Sequence, residues 1–383
     1  MRIRDDVDAV TDDLDPFSAA HLADPYPLYA RLRDRPEDLV PIPARQVEVA
    51  SRHSVVQRIL REHHSYRSGE GVQWVPVAEA GVRATFIEND PPAHTRVRRA
   101  VQRWCTPRAI ATLTSTVDSI VVDQIDQFAA AGETDIMETL ARPVPTRVMS
   151  EWLGLDLPAA ATAWADASFR LGAPDPPTEA TDQFADFFAW AAGVGFANVR
   201  PGGLADSILA GGDRHLLRDD EPFVALASIV IAGLDTTVQL IGNGIAALAE
   251  HPDQYRKLAE DPTGRAGPTV EETLRWDSPV RFFLRRTEDG RTIVVLYGAA
   301  NRDETVFEHA GRFVIDRDNS EHVAFGAGIH LCLGAPLARL EGRSVFRHLA
   351  ERIAAVEVLS GAARTDSAAT RGFTTLPVRV VAR

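Results

Sequence analysis

The stretch Ala324–Gly334, AFGAGIHLCLG, places one of only two cysteines of a 383-residue chain inside a glycine-rich turn. Because glycine has no Cβ, Gly326 and Gly328 allow a tight turn whose backbone can approach a flat ligand closely. A helical pattern, APLARLEGRSVFRHLAERI, follows at once, with Pro336 in its first turn. The positive end of that helix would favour the thiolate form of Cys332 over the thiol.

Four roles of Cys332 are open on these residues alone. A buried cysteine that packs as a small hydrophobic residue is the ordinary outcome. Zinc needs more ligands at close spacing than His330 supplies, and a nucleophile needs a base and an oxyanion hole, for which the loop has no local signature. The glycines also lack the third member of a dinucleotide-binding loop. A thiolate ligand to haem iron is the one role that also accounts for the glycines and the helix.

The composition indicates a soluble globular protein, with 45% hydrophobic and 25% charged residues. A formal net charge of −13 argues against a nucleic-acid-binding protein. The acidic N-terminus has no apolar core typical of a signal peptide, and no apolar run suggests a membrane span. Two cysteines fit a reducing compartment, so we expect a cytoplasmic protein.

Helical patterns dominate the chain, and they predict one mainly α-helical domain over residues 1–383 with a minor β portion. The longest pattern runs from Glu221 to Glu250, on the order of 45 Å as a helix, and is apolar on nearly every side. Asp235, Thr236 and Thr237 interrupt it. The threonines could simply bond back to the preceding turn and bend the helix, or the polar group could serve a function. The runs QVEVAS, TIVVLYG and LPVRVVAR predict short strands.

The chain resembles the cytochromes P450 over nearly its whole length. The pattern Phe325-Gly-x-Gly-x-His330-x-Cys332-x-Gly334 is similar to the haem-binding loop of that family, and AGLDTT at 232–237 is similar to its oxygen-activating stretch. Glu272-x-x-Arg275 is similar to its paired acid and arginine, which implies a buried network with the segment that follows, through Arg302 or Arg312. The resemblance implies a single-domain fold with haem b between the long central helix and the cysteine-loop helix.

The resemblance also implies a role for each matching residue. Cys332 would be the iron ligand, and Asp235 with Thr236 would hold water and relay protons to bound oxygen. The remaining haem-binding residues would be Phe325, Gly326, His330 and Gly334 of the loop, together with His94, Arg98 and Arg286. Between Arg286 and the segment AANRD the chain lacks the longer hairpin, with its Ile-Pro-x-Gly turn, that the family usually has. Arg285 is therefore an alternative to Arg286 for binding a propionate.

The function that this resemblance implies is insertion of one oxygen atom from O₂ into a small to mid-sized organic substrate, in bacterial secondary metabolism. Because the haem domain uses the whole chain, electrons would come from a separate ferredoxin and ferredoxin reductase. A basic patch of Arg98, Arg99, Arg103, Arg339 and Arg343 would suit docking of an acidic ferredoxin. Two alternatives remain: oxidative coupling or ring formation on a biosynthetic intermediate, and a haem protein without catalysis.

Overall fold

A computed structural model describes residues 14–74, 86–174, 176–211 and 214–383. Its α-helices are α1 Ala19–Ala23, α2 Tyr26–Arg33, α3 His53–Arg61, α4 Ala93–Val101, α5 Pro107–Ala111, α6 Thr114–Ala131, α7 Pro143–Leu153, α8 Ala161–Leu171, α9 Thr178–Trp190, α10 Leu204–Leu209, α11 Glu221–Glu250, α12 Pro252–Glu260, α13 Pro262–Trp276, α14 Tyr297–Ala300 and α15 Ala335–Arg352. Its strands are β1 Val40–Ile42, β2 Val47–Ala50, β3 Tyr66–Arg67, β4 Glu133–Asp135, β5 Phe282–Thr287, β6 Thr292–Leu296, β7 Ile353–Val358, β8 Ala363–Arg364, β9 Phe373–Thr375 and β10 Pro377–Ala382. The predicted mainly α-helical fold with a minor β portion is confirmed.

The strands form three small sheets, ordered β1-β2-β6-β5-β3, β4-β10-β7 and β8-β9. The three sequence runs predicted to be strands become β2, β6 and β10. Strand β6 pairs in parallel with β2 and antiparallel with β5, so it is buried between two neighbours. The β5–β6 hairpin is tight: the backbone N–H of Thr287 donates to the carbonyl of Arg291, and Gly290 supplies a positive φ of 83°. This short hairpin fits the shortening expected from the sequence.

The long helix α11 spans Glu221–Glu250, as the sequence predicts, and forms the centre of the largest apolar cluster. Its apolar side chains are buried around most of its circumference, because helices α7, α8, α13 and α15 pack against it. The expectation that no segment could span a membrane needs correction, since α11 is long and apolar enough by composition. However, 72% of its most apolar window is buried inside the fold, as in the core helix of a globular protein.

Candidate functional site

The cysteine loop is held by its own backbone and by the end of helix α3. The N–H of Cys332 donates to the carbonyl of Phe325 at 2.9 Å, which closes the loop. Gly328 has a φ of 69°, and a Cβ there would stand 2.4 Å from the carbonyl oxygen of Leu60. Only glycine fits this position, because a side chain would meet rigid backbone of α3 and strain the turn. The loop therefore packs closely against the C-terminal end of α3.

The sulfur of Cys332 lies in a setting suited to a metal. The residue is exposed to solvent, yet dense surrounding protein desolvates the thiol and raises its pKa, which points to the wall of an interior cleft. The backbone N–H groups of Gly334 and Ala335, at the start of α15, act in the opposite direction and favour the thiolate. Arg98 and Arg339 do the same. In the chain alone, burial has the larger effect on the pKa of Cys332, so the N-terminus of α15 favours the thiolate without being sufficient to produce it. A bound cation would complete the deprotonation.

Two histidines predicted to bind the cofactor lie together beside this loop. The rings of His94, on helix α4, and His330 have centroids 4.5 Å apart. Both ring nitrogens of buried His94 and Nε2 of His330 have no hydrogen-bond partner among the described residues. Desolvation and the charge of Arg98 lower both pKa values, while the charge of Asp90 partly opposes this effect at His94. Arg98 itself donates to the carbonyl of Leu331 at 2.7 Å.

Buried N–H donors without hydrogen-bond partners cost free energy, so the region around His94, Arg98 and His330 suits a bound anion. Haem carries two carboxylates, and imidazole and guanidinium N–H groups are the donors that such carboxylates accept best. The unpaired nitrogens of His94 and His330 therefore fit the propionate groups that the sequence analysis assigns to them.

Of the two adjacent arginines on strand β5, the structure favours Arg285 over Arg286. Successive side chains of a strand point to opposite faces of its sheet, so only one of the two can face the histidines. Arg285 is buried, and its charge lowers the pKa of His330. Arg286 lies opposite Arg67 in the edge pairing of β3 and β5. These observations favour Arg285, the alternative of the sequence analysis, over Arg286 as the arginine that would bind a propionate.

The middle of helix α11 has an open face. Ala232 is exposed and Thr236 is half-buried, although the residues around them on this helix are mostly buried. These two positions are i and i+4, so they share one face. The hydroxyl of Thr236 donates to the carbonyl of Ala232 at 2.9 Å, which is the back-bonding considered in the sequence analysis. The helix remains continuous through this point.

Asp235 lies on a different side of the helix and is anchored in the core. Its Oδ1 accepts from Nε2 of Gln239 at 2.9 Å, and Oε1 of Gln239 accepts from the backbone of Phe373 at 2.9 Å. The other carboxylate oxygen, Oδ2, is buried and has no hydrogen-bond partner within the described part of the chain. Burial, and then the charge of Asp166 on helix α8, raise the pKa of Asp235 to about 7. Near neutral pH this carboxyl can therefore either donate or accept a proton.

Glu272 and Arg275 form the buried network that the resemblance implies, and it serves structure. Nε and Nη2 of Arg275 donate to the two carboxylate oxygens of Glu272 at 2.8 and 2.7 Å. The other donors of Arg275 reach backbone carbonyls of Asn301, Ala310 and Arg312. Arg317 is the further cation near Glu272, at 3.4 Å. Arg312 thus contributes a carbonyl, whereas the guanidinium of Arg302 donates to the carbonyl of Trp276.

The expected basic patch carries less positive charge than its arginines suggest, because Arg339 is paired with an acid. Arg339 donates twice to Glu271, at 2.7 and 2.8 Å, and lies over the ring of Phe325 at 4.6 Å. Arg99, Arg103 and Arg343 remain exposed. Sequence reasoning could not detect the neutralisation of Arg339, because Glu271 lies 68 residues away along the chain.

Comparisons with known proteins identify the family of this chain. The sequence profile of the family "Cytochrome P450" matches residues 268–354. The chain is 36% identical to the cytochrome P450 monooxygenase PikC of Streptomyces venezuelae, over 89% of this chain and 86% of PikC. It is 31% identical to cytochrome P450 107B1 of Saccharopolyspora erythraea, over 96% and 98% of the two chains. The crystal structure of CYP164A2 of Mycobacterium smegmatis matches with a TM-score of 0.83 and 30% identity, over 96% and 98%. The chain therefore belongs to the cytochrome P450 family and is an oxidoreductase of the monooxygenase type.

Proposed function

We propose that this protein inserts one oxygen atom from O₂ into a small to mid-sized organic substrate of bacterial secondary metabolism. The proposed unit is a single domain over residues 1–383, located in the cytoplasm. The observation that carries the proposal is the pairing of a thiol on a glycine loop with buried imidazole nitrogens beside it that have no partner in the described ranges. Two relatives support the metabolic context: PikC, and the polyketide biosynthesis cytochrome P450 PksS of Bacillus subtilis, 32% identical over 79% of this chain.

The proposed cofactor is haem b, held by Cys332 through iron and by His94, Arg98, Arg285 and His330 through the propionates. Phe325, Gly326 and Gly334 would form the loop against the porphyrin. When bound, haem supplies an iron centre at which O₂ can be reduced and one oxygen atom transferred. The protein contributes the thiolate, the binding of the carboxylates and the environment of the opposite face.

Thr236 and Asp235 are the proposed proton-handling residues. The Thr236 hydroxyl lies on the open face of α11 and donates to the carbonyl of Ala232 on its own helix; as an acceptor it can also hold a water molecule there. Asp235 lies next to it in sequence with a pKa near neutrality, which suits exchange of protons with water. Because Asp235 is anchored to Gln239 on an adjacent side, a proton would pass between the two residues through water.

A ferredoxin is the proposed electron donor, supplied in turn by a ferredoxin reductase. Leu331, beside the ligand cysteine, is 47% exposed, which is unusual for a large apolar side chain. The exposed arginines Arg99, Arg103 and Arg343 supply positive charge in a protein whose net charge is −13. An acidic partner with an apolar centre would complement such a surface.

Thr236→Ala is expected to uncouple electron use from product formation. Loss of the hydroxyl removes a group that holds water for proton delivery, so the fraction of electrons recovered in product should fall about tenfold. The measurement is NAD(P)H consumed against product and hydrogen peroxide formed. Ser228→Ala is the matched control, because Ser228 makes the same kind of i−4 bond, to Val224, on the same helix. Equal coupling in Thr236→Ala and wild type would remove Thr236 from the mechanism.

Turnover under ¹⁸O₂ tests the proposed function itself. A compound that displaces water from the iron, found by screening for shifts in haem absorption, would be incubated with ferredoxin, ferredoxin reductase and NAD(P)H. We expect product that carries one ¹⁸O atom. Product of a coupling or ring-forming reaction would contain no oxygen from O₂, and that result would replace monooxygenation by the alternative chemistry.

A further inference from the structure

Glu271 on helix α13 joins two side chains that lie on either side of the cysteine loop in the sequence. Its Oε1 accepts a hydrogen bond from Nε of Arg339 at 2.7 Å, and its Oε2 accepts from Nη2 of the same guanidinium at 2.8 Å. Oε2 also lies 2.9 Å from Nε2 of His322. His322 precedes the loop, whereas Arg339 follows it on helix α15. One carboxylate therefore connects the segments that enter and leave the loop.

The ring of His322 links this carboxylate to the backbone of the loop. Its Nδ1 accepts from the backbone N–H of Ala324 at 3.2 Å, so the proton of the neutral ring belongs on Nε2, which donates to Glu271. One tautomer thus satisfies both ring nitrogens. The His322 side chain is only 3% exposed, so water cannot easily replace either partner.

Arg339 links the same carboxylate to the ring of Phe325. Its guanidinium lies over that ring, 4.6 Å from the centroid, and the two hydrogen bonds to Glu271 fix its orientation. The carbonyl of Phe325 accepts from the N–H of Cys332 at 2.9 Å, which is the bond that closes the loop. Phe325 is therefore held at its ring by Arg339 and at its backbone by the residue that carries the sulfur.

The carboxylate of Glu271 keeps its charge at any working pH. Burial alone would raise its pKa, but the hydrogen bonds from Arg339 and His322 outweigh burial and lower the pKa to about 2. The adjacent acid, Glu272, pairs instead with Arg275 on its own helix. A substitution at position 271 therefore removes the contacts to the loop and leaves that other pair in place.

We propose that Glu271 is a positioning residue for the thiolate, which holds the loop through His322 and Arg339 and so keeps Cys332 bound to iron in the reduced protein. Reduction lowers the positive charge that attracts the thiolate, so the support of the loop matters most in that state. Without this support the sulfur would take up one proton from water and become a neutral thiol, which is a weaker ligand. The inference rests on the proposed haem site and adds to it a residue that the loop motif does not contain.

The lifetime of the thiolate-type absorption in the reduced, carbon-monoxide-bound holoprotein tests this inference. Its decay would be followed for the wild type, Glu271→Gln and Asp118→Asn. We expect Glu271→Gln to decay roughly three- to tenfold faster than the wild type, because the amide keeps hydrogen bonds but loses the charge that strengthens them.

Asp118→Asn is the matched control. Asp118 binds helix α15 from helix α6, through Arg347 at 3.0 Å, and it also lies 3.6 Å from a histidine, His348. Its side chain is 27% exposed, and that of Glu271 is 28% exposed. This substitution weakens a similar contact of the same helix away from the loop, so its decay should lie within about twofold of the wild type.

A second background separates positioning from a general loss of stability. In a protein that already carries His322→Phe and Arg339→Gln, Glu271→Gln should change the decay by less than about twofold, because the groups through which it acts are gone. A purely structural effect of the amide would accelerate the decay equally in both backgrounds. That result, or a decay in Asp118→Asn as fast as in Glu271→Gln, would overturn the inference.

The wild type and Cys332→Ser separate this inference from the proposed site. If the wild type shows the thiolate-type absorption, Cys332→Ser lacks it and Glu271→Gln decays like the wild type, the role of Glu271 alone is refuted. If the wild type shows no such absorption, the proposed haem site is wrong and the inference fails with it.

Discussion

Cys332→Ser is expected to abolish the thiolate-type absorption of the reduced, carbon-monoxide-bound protein. A serine hydroxyl is a far weaker acid than a thiol, so it cannot replace the thiolate as an electron-rich iron ligand. Turnover should fall by at least about three orders of magnitude, equivalent to ~4 kcal/mol in the activation barrier. The measurements are the carbon-monoxide difference spectrum and product formation with the compound found in the substrate screen.

Cys105→Ala is the matched control for this prediction. Cys105 is the second cysteine, buried at the end of the turn after α4, and its thiol donates to the carbonyl of Val101. Burial raises its pKa to about 12, so it remains a thiol at any working pH. Its loss should leave the spectrum unchanged. A thiolate-type spectrum retained in Cys332→Ser, or lost in Cys105→Ala, would refute Cys332 as the iron ligand.

The parts of the fold that sequence predicts well are those with strong local patterns. Helix α11 begins and ends at the predicted residues, because its thirty apolar-rich positions start at Glu221-Pro222 and stop directly before His251-Pro252. The cysteine loop is equally local, since its glycines with positive φ and the helix start at Ala335 all lie within twelve residues. Strands β2, β6 and β10, which the sequence predicts, also carry apolar residues in short local runs of their own.

Sequence was least informative where distant segments meet. The choice between Arg285 and Arg286 depends on which face of β5 turns towards His330, and one residue of register decides it. In the same way Asp166 acts on Asp235 from another helix, and no local pattern links the two.

The second prediction with a large effect concerns the buried pair of Glu272 and Arg275. Glu272→Gln removes the carboxylate and leaves Arg275 as an uncompensated charge with a side-chain exposure of 0%. We expect the free energy of unfolding to fall by about 3–5 kcal/mol, the usual cost of breaking a buried ion pair on one side. Chemical denaturation of the holoprotein would measure the change. Glu260→Gln is the control, because the Glu260 side chain is 70% exposed in its pair with Arg265, so loss of the pair should cost about 0.2–1 kcal/mol.

The double variant Glu272→Leu with Arg275→Met distinguishes an unpaired charge from a simple loss of packing. Replacing both partners by apolar groups removes the desolvated charge, so the double variant should be more stable than Glu272→Gln. It would not recover the wild-type value, since Arg275 also satisfies the carbonyls of Asn301, Ala310 and Arg312. A cost below about 1 kcal/mol for Glu272→Gln would contradict the pair's structural role.

Glu272→Gln should weaken the retention of the cofactor as well as lower the stability of the fold. Asn301, whose carbonyl accepts from Arg275, uses its side-chain oxygen to accept from the backbone N–H of Val323 at 2.8 Å. Val323 in turn accepts, at its carbonyl, from the N–H of Gly326 at the start of the cysteine loop. Loosening the ion pair therefore loosens the loop that presents Cys332. We expect Glu272→Gln to lose haem faster than Glu260→Gln even at denaturant concentrations where both remain folded, and equal rates would show that the network does not support the loop.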